Sequence, residues 1–393
     1  MNSAITSIEF GTTKLVVLIS RSNKEGIVEL LGLGNVSYDG VQGDNWQSTE
    51  SIRKSVTVAL GQAQKMAGFK INHCTLGIPN EFCGLIRNTK EIPLNHPVTK
   101  QDVLDLRKLI GSYSLPSPWR ISEVVNGSFI INDYCVGNPL GMVSDTLGLE
   151  ASLVCINNDF SRQMIKLLST LRIRVNRIIP VPMAYSEALI TQTEKQNGAI
   201  LIDIGGHSTD IAVYKNGMPV LFDWLPVGGN TITQDIVKGA RVTFEEAERL
   251  KRYCVLGLAL TNQSSDGMDM PVRIGRNIHN IPLDLLQEIV EARIEEILEL
   301  VKEKVAAEAL LSNNNVAILV GGGISLFRGV KEFGSGILGI PFRLGVPDII
   351  GLSSPAFSTA YSLAQSSVTY NTTTRLSLME YGNRLFKSFK LKF

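Results

Sequence analysis

Twice in this chain an apolar run meets an acid, a short turn of glycine and hydroxyl residues, and then a second apolar run. The first copy is IEFGTTKLVVLIS (residues 8–20), with Glu9 as the acid and Gly11, Thr12, Thr13 and Lys14 in the turn. The second is LIDIGGHSTDIAVYKNG (residues 201–217), with Asp203 before the turn, Gly205, Gly206, His207 and Ser208 within it, and Asp210 after it. Each reads as a β-hairpin, because so short a turn joins antiparallel strands and leaves no length for a crossover helix. Adjacent glycines let backbone N–H groups reach an anion with no Cβ in the way. A carboxylate at the strand end can hold a metal-bound water beside a phosphate. Taken alone, the second segment reads equally well as an ordinary Gly-Gly turn.

A third segment alters that balance. VAILVGGGISLFRGV (residues 316–330) runs from an apolar strand into Gly321, Gly322 and Gly323, then into a predicted helix. Backbone at such a junction can approach a nucleotide closely. No G-x-x-x-x-G-K-[ST] occurs, so the phosphate clamp predicted here closes hairpins and does not open a helix. Two hairpins about 190 residues apart, followed by a Gly-rich strand-to-helix turn, form an ordered set.

Composition sets the outer bounds. With 393 residues and 44% hydrophobic content, the chain can bury large cores in more than one domain. A net charge of +1 gives no global basic field for nucleic acid. Five scattered cysteines without a C-x-x-C pair read as buried thiols in a reducing cytoplasm. Four scattered histidines suggest no metal cluster. No apolar stretch approaches transmembrane length, and no signal peptide precedes the first strand. Helices are predicted near 49–67, over 99–111 with Thr99 as cap, over 160–171, and from Thr243 with a capping box to Glu246. Asp284 to Leu311 carries the apolar stripe of a long core-facing helix. The polar segment Asn262 to Pro271 reads as a loop.

In this order the three segments resemble the phosphate 1, phosphate 2 and adenosine motifs of the actin/Hsp70/sugar-kinase ATPase superfamily. Within it the chain most resembles the FtsA family of bacterial cell division. Further matches are VNGSFIINDYCVGNPLGM (residues 125–142), IIPVPMAYSEAL (178–189), LPVGGNTITQDI (225–236) and SPAFSTAYSLA (354–364). The resemblance implies an α/β, actin-like ATPase fold of duplicated RNase H-like domains, with a 1C subdomain in place of actin 1B. It divides the chain as follows: subdomain 1A from 1–80, 161–195 and 352–365; an SHS2-like 1C from 81–160; 2A from 196–236 and 315–351; and 2B from 237–314.

The family's roles carry over residue by residue. Gly11, Thr12, Thr13 and Lys14 would wrap the β- and γ-phosphates of ATP. Gly205, Gly206, His207 and Ser208 would form the second phosphate turn, with Glu9 and Asp203 as the catalytic acids that hold Mg²⁺. Gly228, Gly229 and Asn230 would pass the phosphates or ribose, and Glu248 and Lys251 would contact ribose and base. Gly321, Gly322, Gly323 and Ile324 would line the adenine side. Two departures matter. Phosphate 1 normally begins with Asp, and Glu9 is longer by one C–C bond. Where robust ATPases place a polar residue to orient water, this chain has apolar Val181 and Pro182. A positioned base contributes typically about 10²–10⁴-fold, so weak or no hydrolysis is expected.

The C-terminus adds a separate feature. Polar residues 366–374 read as a linker, followed by RLSLMEYGNRLFKSFKLKF (375–393). At helical spacing Leu378, Met379, Leu385, Phe386, Phe389 and Phe393 share one face, with Arg384, Lys387, Lys390 and Lys392 off its centre. A short basic amphipathic helix of this kind lies in an anionic membrane surface, the alternative being a terminal helix docked on its own core. The FtsA resemblance implies the same membrane-targeting role. It further implies a filament-forming protein on the inner face of the cytoplasmic membrane at the division site, tethering the tubulin-like FtsZ and meeting other divisome proteins. The alternative is a PilM-like scaffold of type IV pilus assembly. A small-molecule kinase or Hsp70-type ATPase would need a substrate base or a peptide-binding domain, and neither is evident.

Overall fold

The computed structural model describes residues 4–23, 26–38, 40–42, 45–46, 49–257, 269–274, 277–349 and 351–370. The chain begins with a meander, β1 (Ile5–Phe10), β2 (Lys14–Ser22) and β3 (Val28–Ser37), then the two-residue strands β4 (Val41–Gln42) and β5 (Asn45–Trp46). Helix α1 (Thr49–Ala67) returns the chain to β6 (His73–Ile78). All six residues of β1 are buried, as expected of a strand covered on both faces. Alanines on α1 explain how closely the helix settles on β3. A Cβ built on Gly32 or Gly34 would lie 2.2 and 1.9 Å from the Ala63 and Ala59 carbonyl oxygens.

A separate unit follows: β7 (Cys83–Pro93), α2 (Lys100–Gly111), β8 (Trp119–Ile131), β9 (Tyr134–Val136) and β10 (Thr146–Asn157). These strands form their own antiparallel sheet in the order β7-β10-β8-β9, with a core of Leu106, Ile110, Phe129, Leu147, Leu149 and Leu153. Thr99 caps α2 through a box with Asp102. The chain then re-enters the first sheet through α3 (Asn158–Thr170) and β11 (Arg174–Pro180), followed by α4 (Val181–Leu189) and α5 (Gln192–Asn197).

The second half repeats the first in topology. Strands β12 (Ala199–Ile204), β13 (Thr209–Lys215) and β14 (Met218–Leu225) form a meander. Helices α6 (Gly229–Ala240) and α7 (Phe244–Lys251), the hairpin β15 (Asp269–Ile274) and β16 (Asn277–Pro282), and α8 (Leu283–Ala307) lead to β17 (Val316–Val320). Helix α9 (Val330–Leu338) and β18 (Phe342–Leu344) complete it. The first sheet runs β11-β6-β1-β2-β3 and the second β14-β13-β12-β17-β18, so each has an antiparallel meander extended by two parallel strands. Buried Leu286, Val290, Ile294, Ile297, Leu298, Val301 and Val305 on α8 fill the core of the second half. Fully burying each contributes roughly 1.5–3 kcal/mol.

Three local expectations differ from this architecture. Residues 358–370 are helical, so the polar segment that begins at Ser366 is not a linker through Tyr370. Ser366 and Ser367 are buried, because their hydroxyls bond Glu187, Thr75 and the Leu363 carbonyl, and Val368 joins the adjacent core. Asp269, Met270 and Pro271 belong to β15 and not to a loop. Cys135 is exposed, since it sits on the short edge strand β9, while Cys74, Cys83, Cys155 and Cys254 are buried. The predicted C-terminal helix, 375–393, lies outside the described residues. Among the described residues no helix is long and apolar enough to cross a membrane.

Candidate functional site

The two hairpins meet across a cleft of about 420 Å³ between the sheets. In the first, Glu9 pairs with Val16 and Phe10 with Leu15, leaving Gly11 to Thr13 as the turn. The Gly11 amide donates to the Lys14 carbonyl at 3.0 Å, which closes that turn. In the second, Asp203 pairs with Asp210 and Ile204 with Thr209, and the Gly205 amide donates to the Ser208 carbonyl at 2.9 Å. The turns touch each other. A Cβ on Gly206 would lie 2.2 Å from Thr13 Cγ2, and the His207 amide donates to Thr12 Oγ1 at 3.2 Å.

The remaining walls are built on these turns. Gly229 and Asn230 open α6, their amides donating to the Gly205 and Gly206 carbonyls at 2.9 and 2.8 Å. The triple-glycine turn is held against the second hairpin by a bond from the Gly323 amide to the Ile204 carbonyl at 2.8 Å. Gly321 has φ +84°, and a Cβ there would sit 2.3 Å from Asp203 Oδ1, so no larger residue fits unstrained. From α7, Lys251 reaches back under α6, donating to Thr233 Oγ1 at 2.8 Å, the Gly229 carbonyl at 3.2 Å and Glu248 Oε1 at 2.5 Å. Burial lowers its pKa, which the Glu248 carboxylate partly offsets.

Sixteen of the nineteen predicted site residues line this cleft: Glu9, Gly11, Thr12, Thr13, Lys14, Asp203, Gly205, Gly206, Ser208, Gly229, Asn230, Glu248, Lys251 and Gly321 to Gly323. Three do not. Gly228 lies behind the turn, where a Cβ would meet the Gly205 and Gly206 carbonyls at 2.8 Å. The His207 ring turns to Asn230 Nδ2, 3.4 Å from its Nε2. Ile324 is fully buried in the core of the second half, as its apolar side chain requires. Sequence reasoning missed Glu81 and Thr359, which line the cleft from distant segments, and Arg252, which follows Lys251 directly, and gave Asp210 no role there. The Asp203–Asp210 pairing was the available signal for Asp210, since register partners present their side chains on one face. Tyr185 was missed too. Its hydroxyl donates to Asp203 and lies 2.6 Å from Thr359 Oγ1.

The cleft floor is acidic and buried. Burial pushes the Glu9 carboxyl up to about 7, against the opposing pull of Lys14, whose Nζ is 3.9 Å away. Burial likewise raises Asp203 and Asp210. Glu9 Oε2 and Asp210 Oδ1 are buried with no hydrogen-bond partner. Lys14 donates to the Ala356 carbonyl, so its charge is shared with the chain that closes the cleft. Among the described residues no three His, Cys, Asp or Glu side chains group closely enough to hold a metal alone. A buried carboxylate oxygen without a partner is costly, and a cation bridging protein and ligand phosphates would satisfy it.

Paired sheets of one topology, joined by two facing glycine hairpins and a glycine-lined third wall, define the actin-like ATPase fold. Solved structures of 14–15% identity share it. A PilM–PilN type IV pilus biogenesis complex superposes with TM-score 0.64, over 94% of this chain and 99% of the other. MreB 5 of Spiroplasma citri bound to AMPPNP superposes with TM-score 0.53, over 97% and 99%. The model of the family described as Cell division protein FtsA matches residues 200–362. Cell division protein FtsA of Neisseria meningitidis serogroup B is 28% identical over 91% of this chain and 89% of its own length. That of Bacillus subtilis is 27% identical over 93% and 83%. Over most of its length the chain is similar to the FtsA family of actin-like cell-division proteins.

Proposed function

We propose that this protein binds ATP with Mg²⁺ in the cleft, assembles into filaments in the bound state, and tethers FtsZ filaments to the inner face of the cytoplasmic membrane at the division site. The observation that carries the reading is the meeting of the two hairpin turns above a floor where Glu9 Oε2 lacks a partner. In this reading the turns 11–14 and 205–208 hold the phosphates, and the triple glycine takes the adenine side. Lys251 and Glu248 set the wall toward the ribose. Glu9 and Asp203 would hold the Mg²⁺, which supplies positive charge against the phosphates. Val181, which lines the cleft, offers only methyl groups where a water-orienting group would be needed. Turnover is therefore slow, and ATP acts chiefly by favouring the closed, assembling form.

Membrane attachment falls to residues 375–393. One short helix binds weakly, and a filament that displays many binds strongly. The FtsA kinship of the chain favours FtsZ as the tethered partner. Calorimetric titration tests the nucleotide step: ATP with Mg²⁺ binds at one site per chain, and Gly206→Val, which wedges the turns apart, abolishes it. Equal affinity in the variant would remove the cleft as the site. The fold likeness to PilM keeps one other role open, a pilus-assembly scaffold, which predicts no vesicle binding through the tail.

A further inference from the structure

The end of the first half from which the tail emerges has an unusual surface. Helices α1 and α3 pack on one face of the first sheet, and helix 358–370 covers the other. All three finish at the same edge. Helix α1 ends just before β6 begins, α3 ends just before β11 begins, and β6 and β11 are parallel with Arg174 beside His73. Helix 358–370 reaches that edge with Ser367 Oγ 2.8 Å from Thr75 Oγ1. Arg177 fixes its last turn, donating to the Ser366 carbonyl at 2.7 Å and lying 4.2 Å from the Tyr370 ring centroid. The next residue, Asn371, starts the tail.

Chain segments 65–73 and 166–177 supply the β6–β11 side of this edge. They hold six Lys and Arg and no Asp or Glu, in a chain whose net charge is only +1. The β2–β3 side carries the paired Arg21 and Glu29. Lys65, Lys70, Arg172 and Arg174 are all exposed. Basic residues at helix C-termini offset the helix dipole, which accounts for Lys65 and not for its neighbours. Met66 is 58% exposed and Phe69 is 40% exposed between Lys65 and Lys70. Apolar side chains set among uncompensated cations suit an interface of anionic headgroups over acyl chains, whereas a protein partner would favour paired charges.

We infer that this edge of the first half is a second membrane contact, which lies flat on anionic lipid beside the tail and sets the orientation of the protein on the bilayer. The inference rests on the membrane reading above and adds to it a site on the folded body. Attachment through the tail alone would leave the body free to rotate. Two contacts would fix which face of the filament meets the membrane and which is left for partners.

The test uses the full chain with vesicles containing phosphatidylserine, in co-sedimentation at about 0.1 M salt. Lys65→Gln, Lys70→Gln, Arg172→Gln and Arg174→Gln are combined with the tail unchanged. Each charge near such a surface is worth about fivefold in binding, so the combination weakens binding at least tenfold. In a second measurement, Met66→Cys in a Cys135→Ser background carries an environment-sensitive dye, and its emission shifts to the blue on vesicles. Binding within twofold of the parent, or a dye that stays in water on bound vesicles, overturns the inference and leaves tail attachment intact. A parent chain that does not bind would instead overturn the membrane reading itself, and this surface with it.

Discussion

At the scale of single residues, the site is governed by positions where nothing but hydrogen fits and by carboxyls kept from water. Gly321→Ala places a Cβ 2.3 Å from Asp203 Oδ1 at φ +84°. We expect about 2–4 kcal/mol of lost stability in denaturant titration, from strain and steric overlap together. Gly206→Ala meets the Thr13 side chain first, 2.2 Å from its Cγ2. It should leave the unfolding midpoint nearly unchanged and weaken ATP binding roughly tenfold, a matter of about 1.4 kcal/mol. Glu9 gives a pH signature. Its carboxyl lies near 7 in the fold against an ordinary 4.5, so between those values the folded state holds more protons than the unfolded one. Stability of the nucleotide-free chain therefore falls as pH rises through that window, by on the order of 3 kcal/mol. Asp203 and Asp210 are raised as well and act with the same sign. Glu9→Gln should flatten the profile, and an unchanged slope would show that Glu9 is already ionised in the fold.

Elements decide how those residues come together. Contact between α1 and β3 depends on Gly34, where a Cβ would overlap the Ala59 carbonyl at 1.9 Å. Gly34→Ala should cost about 3 kcal/mol by forcing the helix off the sheet, read as a lowered unfolding temperature. The hairpin turns were legible in sequence because a glycine turn beside a strand-end acid is a local pattern. Glu81 and Thr359 were not, since long-range packing brings them to the cleft and no local spacing announces them. Helix 358–370 was misread at its end for a related reason. Serines and threonines favour turns and linkers in isolation, yet Ser366 and Ser367 find buried partners on Glu187 and Thr75 once the helix lies on the sheet. The shared topology of the two sheets was only hinted at by the paired hairpins. Strand order is a property of pairing across the molecule, and similar topology needs no similar residues beyond the turns.

The whole molecule is two topologically matched halves around one acidic cleft, with a separate four-stranded unit inserted between β6 and α3. That unit touches the second half directly. Ser152 Oγ donates to the Pro219 carbonyl at 2.6 Å, and Met218 Sδ fills the space a Cβ on Gly127 would need. A change in the cleft angle would therefore move or strain the inserted unit, which in the proposed function would link nucleotide state to outer surfaces. The most direct measurement of the central claim is co-sedimentation of the full chain with anionic vesicles, with and without Mg·ATP, beside a full chain carrying Phe386→Glu and Phe389→Glu. The parent is expected to sediment, more strongly with Mg·ATP, and the tail variant to stay in solution under both conditions. Sedimentation that is indifferent to nucleotide and to the tail substitutions would contradict it.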